Sequence, residues 1–200
     1  MKAALVRRAL PRAIFHAAAG IIIVGALYTL PLPIVLAALA FGTIVFFAID
    51  LARLRTPALQ GRFTALFAPL LRKEEDRRIT GASYFLVGCL LSVAAFRGEI
   101  AVMAVLFLSI GDPAATIIGI WKGRIRLWGK SIEGDAACLV VCLAIAVLVA
   151  GIVHRPPMVV SVTGAAVASL FQALRLPVND NLTIPVGSGL SMIALSALMG

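Results

Sequence analysis

The chain has 200 residues, of which 62% are hydrophobic and only 14% charged, with a mean hydropathy of +1.06. A water-soluble domain is about half apolar and a quarter charged, so this composition leaves too little polar surface for water and turns the outside of the molecule toward lipid. The net charge of +9 would suit nucleic acid only on a soluble basic face; here the basic residues flank apolar runs and read as membrane anchors, so nucleic acid is set aside as a partner.

A spanning helix needs about 20 mostly apolar residues. Seven stretches approach this, at roughly 13–30, 33–50, 80–96, 100–121, 136–153, 157–174 and 182–199. Inside a bilayer each must satisfy its own backbone hydrogen bonds, so each is expected as a helix. The expected fold class is all-α: a polytopic membrane bundle of about seven transmembrane helices, forming a single domain over residues 1–200. The N-terminal run does not read as a cleaved signal, because it passes Pro31-Leu32-Pro33 into another apolar run.

On the first helix His16 follows Arg12 by four residues and shares its face. Asp50 and Arg53, three apart at the end of the second, are spaced to pair. Thr56-Pro57 then offers a capping hydroxyl and a first-turn proline, and Leu59, Phe63, Leu66, Phe67 and Leu70 recur at helical spacing. This predicts one short helix lying in the cytoplasmic interface, disturbed at its end by Pro69. The charged run from Arg72 to Arg78, which includes Glu74 and Glu75, leads into the third span.

The fourth span contains Ser109-Ile110-Gly111-Asp112-Pro113. A charge within a membrane is costly, and glycine and proline on either side of it predict a weakened helix whose freed backbone lines a polar cavity. The alternative for Asp112 is a simple ion pair with an arginine. The following loop, 123–134, is basic and glycine-rich and ends Gly129-Lys130-Ser131-Ile132-Glu133-Gly134. Its backbone N–H groups and cations suit phosphates, although it is not a Walker A loop: five residues separate Gly123 from Gly129 where that motif has four. Glu133, at the start of the next helix, is placed to hold a metal beside phosphates. Cys89, Cys138 and Cys142 lie in apolar runs and read as small packing residues. Asn179-Asp180-Asn181 opens the last helix, where the side chains either cap it or serve an anion and its metal.

All basic residues except Arg97 and Arg155 fall on one side if the N-terminus is cytoplasmic. The positive-inside rule then places the N-terminus in the cytoplasm, the C-terminus outside, and the carboxylates, cations and glycines together at the cytoplasmic face. That gathering suggests metal-assisted phosphate chemistry on a membrane-embedded substrate.

The order Arg12-x-x-x-His16-x-x-x-Gly20, Asp50-x-x-Arg53, Glu74/Glu75 before Thr80-Gly81, Gly111-Asp112-Pro113, Gly129-Lys130-Ser131-Ile132-Glu133-Gly134 and Asp180-Asn181-Leu182-Thr183-Ile184-Pro185 resembles the family of dolichol kinases, phytol kinases and CTP-dependent diacylglycerol kinases. The resemblance spans nearly the whole chain. It implies transfer of the γ-phosphate of CTP, with Mg²⁺ or another divalent cation, to a lipid alcohol of polyprenol, phytol or diacylglycerol type. By that resemblance Asp112, Glu133 and Asp180 are candidate metal ligands. Arg124, Arg126, Lys130, Ser131 and Asn181 are candidate nucleotide contacts. Asp112, His16 and Glu133 are candidate catalytic residues, supported by Arg12, Asp50, Arg53, Glu74 and Glu75. The expected partners are the lipid alcohol, CTP and membrane lipids, with a homo-oligomer left open. Two alternatives remain at this point: a cytidylyltransferase that forms a CDP-lipid, and a small membrane transporter.

Overall fold

A computed structural model describes residues 2–127 and 129–199, apart from the side chains of Lys73 and Glu74. The sequence candidate Glu74 therefore lies, as a side chain, outside the described residues. The described chain is an all-α bundle with one two-stranded hairpin. In order, its elements are α1 (Lys2–Thr29), α2 (Leu32–Arg55), α3 (Pro57–Phe67), a 3₁₀ turn (Lys73–Arg77), α4 (Gly81–Ala95), α5 (Glu99–Leu106), a π turn (Phe107–Gly111), α6 (Asp112–Lys122), β1 (Arg126–Leu127), β2 (Lys130–Ser131), α7 (Ile132–Val153), α8 (Met158–Ala173) and α9 (Asp180–Met199).

Among the described residues, five helices are long and apolar enough to cross a membrane: α1, α2, the continuous Glu99–Lys122 helix, α7 and α9. The other two apolar helices, α4 and α8, have only 15 and 16 residues. Their sequence runs are longer, but α4 stops at Phe96, just before the positive-φ Gly98, and α8 stops at Leu174, where the backbone turns extended. Large apolar side chains stand exposed on the outer helices, among them Ile22, Phe41, Ile44, Val140, Leu148 and Leu198. Only hydrocarbon makes such a surface favourable, which fits a membrane bundle.

The Glu99–Lys122 helix is the most buried of the five and forms the axis of the bundle. Its residues Met103, Val105, Phe107 and Leu108 pack with Cys89, Cys138, Cys142, Ile184 and Met192 in one core. Around it α6 contacts α1 and α7, α4 contacts α2 and α9, and α8 lies against both α7 and α9. The three cysteines are free and buried, as small packing residues should be.

The weakening expected at Gly111-Asp112-Pro113 takes the form of one π turn at Phe107–Gly111, through which the helix runs on. Proline is tolerated because Pro113 falls in the first turn of α6, where the π turn has already loosened the ladder. Thr56 precedes α3 but its hydroxyl makes no capping bond; Pro57 alone fixes the start. As anticipated, α3 ends just before Pro69.

Close packing puts the π turn in place. A Cβ on Gly20 would run into the Ser109 side chain, so α1 meets the π turn nearly backbone to backbone. A Cβ on Gly111 would sit 2.6 Å from Cys142 Sγ, so α7 presses on the other side. Arg12, His16 and Gly20, spaced by fours on one face of α1, thereby lie along the segment that carries Asp112.

Candidate active site

One end of the bundle collects the polar groups. Asp112, the first residue of α6, is only 4% exposed. Among the described residues no cation pairs with it, so the simple arginine pair is not what holds it there. Its position is at the junction of two clefts. One, of about 250 Å³, is walled by Asp112, Arg126, Lys130, Ser131, Asp135 and Asp180. The other, of about 270 Å³, runs along α1 and is walled by Leu5, Ala9, Arg12, His16 and Leu71, again with Asp112. Arg72, Thr116 and Ile120 line both. A wider basic cleft of about 500 Å³ continues from the first over Arg72, Arg78, Lys130 and Arg175.

The glycine-rich loop folds back as the β1–β2 hairpin, with Arg126 opposite Ser131 and Leu127 opposite Lys130. Gly129 has φ +85°, a backbone conformation that favours glycine at the turn. Lys130 is held from two helices: its Nζ donates to Asp180 Oδ2 at 2.9 Å, to Gln172 Oε1 at 2.7 Å and to the Gln172 carbonyl. The cation is thus positioned before any ligand arrives.

The other sequence candidates divide. Arg126, Lys130, Asp180, His16 and Arg12 stand on cleft walls with Asp112. Ser131 also reaches the wall, but its Oγ accepts from Gly134 N at 3.1 Å and caps α7. Asn181 is buried and its amide donates to the Gly81 carbonyl at 2.7 Å, joining α9 to α4. Its neighbour Asn179 does the capping, its Oδ1 accepting from Asn181 N at 3.0 Å. Arg124 contributes its backbone: its N–H donates to Glu133 Oε1 at 2.8 Å, and Ile125 N–H to the same oxygen at 3.3 Å. Glu133 therefore braces the base of the hairpin with one oxygen, while its Oε2 is buried and finds no partner among the described residues.

The supporting set forms a buried polar brace. Asp50 Oδ1 accepts from Arg53 Nε at 2.7 Å. Its Oδ2 accepts from Thr80 N at 2.8 Å, Thr80 Oγ1 at 2.9 Å and Ser83 Oγ at 2.7 Å. Arg53 also donates to Gln60 Oε1 and to the carbonyls of Glu75 and Arg78. Glu75 Oε1 accepts from Arg12 at 3.2 Å and from Gly81 N at 2.9 Å. Two carboxylates thus satisfy the first N–H groups of α4, where the helix dipole favours negative charge. The same bonds fix the segment that presents Arg72 to the clefts.

Sequence reasoning missed Arg72, Asp135 and Gln172. Asp135 carried a usable signal: it lies three and seven residues before Cys138 and Cys142, on the face of α7 that turns inward. Gln172 and Arg72 carried none, since a polar residue at a helix end or in a charged loop reads as solvated.

Among the described residues no three His, Cys, Asp or Glu side chains converge to hold a metal by themselves. Mg²⁺ needs less: it keeps waters and is commonly bound by one or two carboxylates plus substrate phosphates. Asp112, a nearly buried carboxylate with no ion pair among the described residues, fits that kind of ligand, and Asp135 and Asp180 stand on the wall of the same cleft, where Glu133 does not.

No protein-family model matches the chain. No solved structure matches it. Among curated proteins, it is 27% identical to CTP-dependent diacylglycerol kinase 1 of Saccharomyces cerevisiae, over 96% of this chain and 74% of the relative. It is 34% identical to the Schizosaccharomyces pombe protein of the same name, over 44% of this chain and 38% of that one. An uncharacterized protein of Rickettsia prowazekii is 28% identical over 90% of this chain and 91% of its own length. The match with a kinase of this type along 96% of the chain, on an all-α membrane bundle, agrees with the motif order: the chain is similar to the CTP-dependent diacylglycerol kinases.

Proposed function

We propose that the chain transfers the γ-phosphate of CTP to the hydroxyl of a membrane lipid alcohol, of diacylglycerol, polyprenol or phytol type, at the cytoplasmic face. The reading adds that residues 1–200 act as one kinase domain, with α4 and α8 completing seven spans, the N-terminus inside and the C-terminus outside. The basic asymmetry supports this orientation. The observation that carries the reaction is the position of Asp112: a carboxylate with no ion pair among the described residues, on the wall shared by a polar cleft that carries Arg72, Arg126 and Lys130 and a cleft along α1 where Leu5, Ala9 and Ala13 stand beside Arg12 and His16. A nucleotide triphosphate suits the first and a lipid hydroxyl the second.

In this reading Arg126, Lys130 and Arg72 bind the triphosphate. Lys130 is preset by Gln172 and Asp180. Asp112, with Asp135 or Asp180, would hold the divalent cation, which when bound neutralises charge on the transferring phosphoryl group. His16 accepts the hydroxyl proton. The lipid oxygen bonds to the γ-phosphorus, the bond from that phosphorus to the β,γ-bridging oxygen breaks, and CDP leaves. Most of the catalytic effect comes from positioning and charge neutralisation.

The test is transfer of label from γ-labelled CTP or ATP to dioleoylglycerol, a polyprenol or phytol by the purified protein in lipid. Labelled lipid phosphate with CTP preferred over ATP is expected. Transfer from α-labelled CTP with release of pyrophosphate would replace the kinase reading by cytidylyl transfer.

A further inference from the structure

A cavity of about 110 Å³ lies beneath α3, enclosed by Phe15 of α1, Phe46 of α2, Phe63 and Phe67 of α3, and Leu70 and Leu71 after it. Ala82 of α4 also lines it. Four of the chain's 10 phenylalanines surround this one space. Close-packed interiors hold few apolar spaces of this size; one lined by aromatic rings excludes water and accepts an apolar guest, and in a bilayer the guest at hand is hydrocarbon.

Two features tie the cavity to the reaction. Arg12, His16, Leu70 and Leu71 line both this cavity and the Asp112 cleft, so the two spaces meet across the same side chains. The polar groups at that end are already satisfied: Glu75 by Arg12 and Gly81, Thr80 by Asp50. They form a polar mouth to an apolar pocket, the shape of a lipid's first few bonds. The cover is lightly held as well. No residue of α3 is buried. It is tied by Gln60 to Arg53 and the Asp76 carbonyl, and by the Arg53 guanidinium 4.7 Å from the Phe63 ring centroid.

We propose that this cavity seats the hydrocarbon chain nearest the hydroxyl of the lipid alcohol, and that the alcohol enters beneath α3 with its hydroxyl directed past His16 to Asp112. The inference rests on the kinase reading and adds the seat of the acceptor to it. An aromatic ring at position 82 should occupy the space, while leaving the nucleotide cleft untouched.

The experiment uses the full chain in phosphatidylcholine vesicles, with dioleoylglycerol and short-chain dihexanoylglycerol as acceptors. Ala82→Phe should raise the KM for dioleoylglycerol at least tenfold, raise that for dihexanoylglycerol less, and leave the KM for CTP within twofold. Phe46→Ala, on the lipid-facing helix, should widen the seat and shift preference toward the bulkier acceptor. It stands in if Ala82→Phe does not fold. A diazirine-bearing diacylglycerol should crosslink to the peptide spanning residues 57–71, independently of turnover. Acceptor KM values within twofold of wild type, with no labelling of that peptide, would overturn the seat and leave the kinase reading standing. Labelling without phosphate transfer to any alcohol would keep the seat and refute the kinase reading.

Discussion

Replacing Asp112 by asparagine separates chemistry from folding, and the structure sets the size of both effects. The side chain is 4% exposed and no cation pairs with it among the described residues. Removing its charge therefore strands no buried partner, and the desolvation of an intramembrane carboxylate is relieved. Stability should change by no more than about 1 kcal/mol, in either direction. Asparagine keeps the size but loses the anionic oxygen that would anchor a cation against the triphosphate. A loss of about 4 kcal/mol of transition-state stabilisation corresponds to roughly a thousandfold in rate, at about 1.36 kcal/mol per factor of ten. The assay is label transfer from γ-labelled CTP to lipid alcohol in vesicles, alongside a thermal unfolding scan of the same preparation. An Asp112→Asn protein that unfolds normally and turns over within threefold of wild type would remove Asp112 from the chemistry. A protein that loses yield and melting temperature first, while its surviving fraction stays active, would make the carboxylate structural.

Asp50→Ala should behave in the opposite way, since it strands Arg53 and three donors of Thr80 and Ser83; it should lower unfolding stability by roughly 3–5 kcal/mol in a denaturation series, and intact stability would refute the brace. Asp135→Asn should cost at least about tenfold in turnover, whereas Glu133→Gln, whose Oε1 can still accept from Arg124 and Ile125, should keep most of it; the reverse order would return the cleft carboxylate role to Glu133. Reporter fusions should place the N-terminus inside and the C-terminus outside, and both ends on one side would sink the seven-span topology.

The helices were legible because a bilayer forces apolar runs into helices, and every apolar run of the sequence became one. Their lengths were less so: hydropathy continues through Phe96 and Leu174, whereas the backbone turns at those residues. Asp112 stood out because a membrane charge has no ordinary explanation. Its setting did not, because Gly111 and Pro113 signal weakness without saying whether a helix breaks or widens into a π turn. Within Glu133-Gly134-Asp135 the motif points to Glu133, whereas the residue that lines the cleft is Asp135. Glu133 begins the helix, but Asp135 is the one on the inward stripe with the cysteines. Asn181 and Ser131 are nucleotide contacts only by the resemblance; at the start of the last helix the residues themselves leave capping and anion binding both open. The structure commits both side chains to neighbouring backbone, and no local pattern reveals a partner 100 residues away in Gly81.

The π turn also fixes a reading frame. An α-helix advances about 100° per residue, and a π turn takes in one residue more than an α turn. Every side chain beyond Gly111 is therefore rotated by about one residue's step from where α5 alone would have carried it. Asp112, Thr116 and Ile120, spaced by fours, reach the clefts together because of that single extra residue. The hydrogen-bond pattern of this stretch is consequently more constrained than the identity of its residues. Apolar exchanges within Phe107–Ile110 alter packing one contact at a time, but tightening the π turn to α with the same number of residues would turn the whole inward stripe of α6 by about 100° away from both clefts at once.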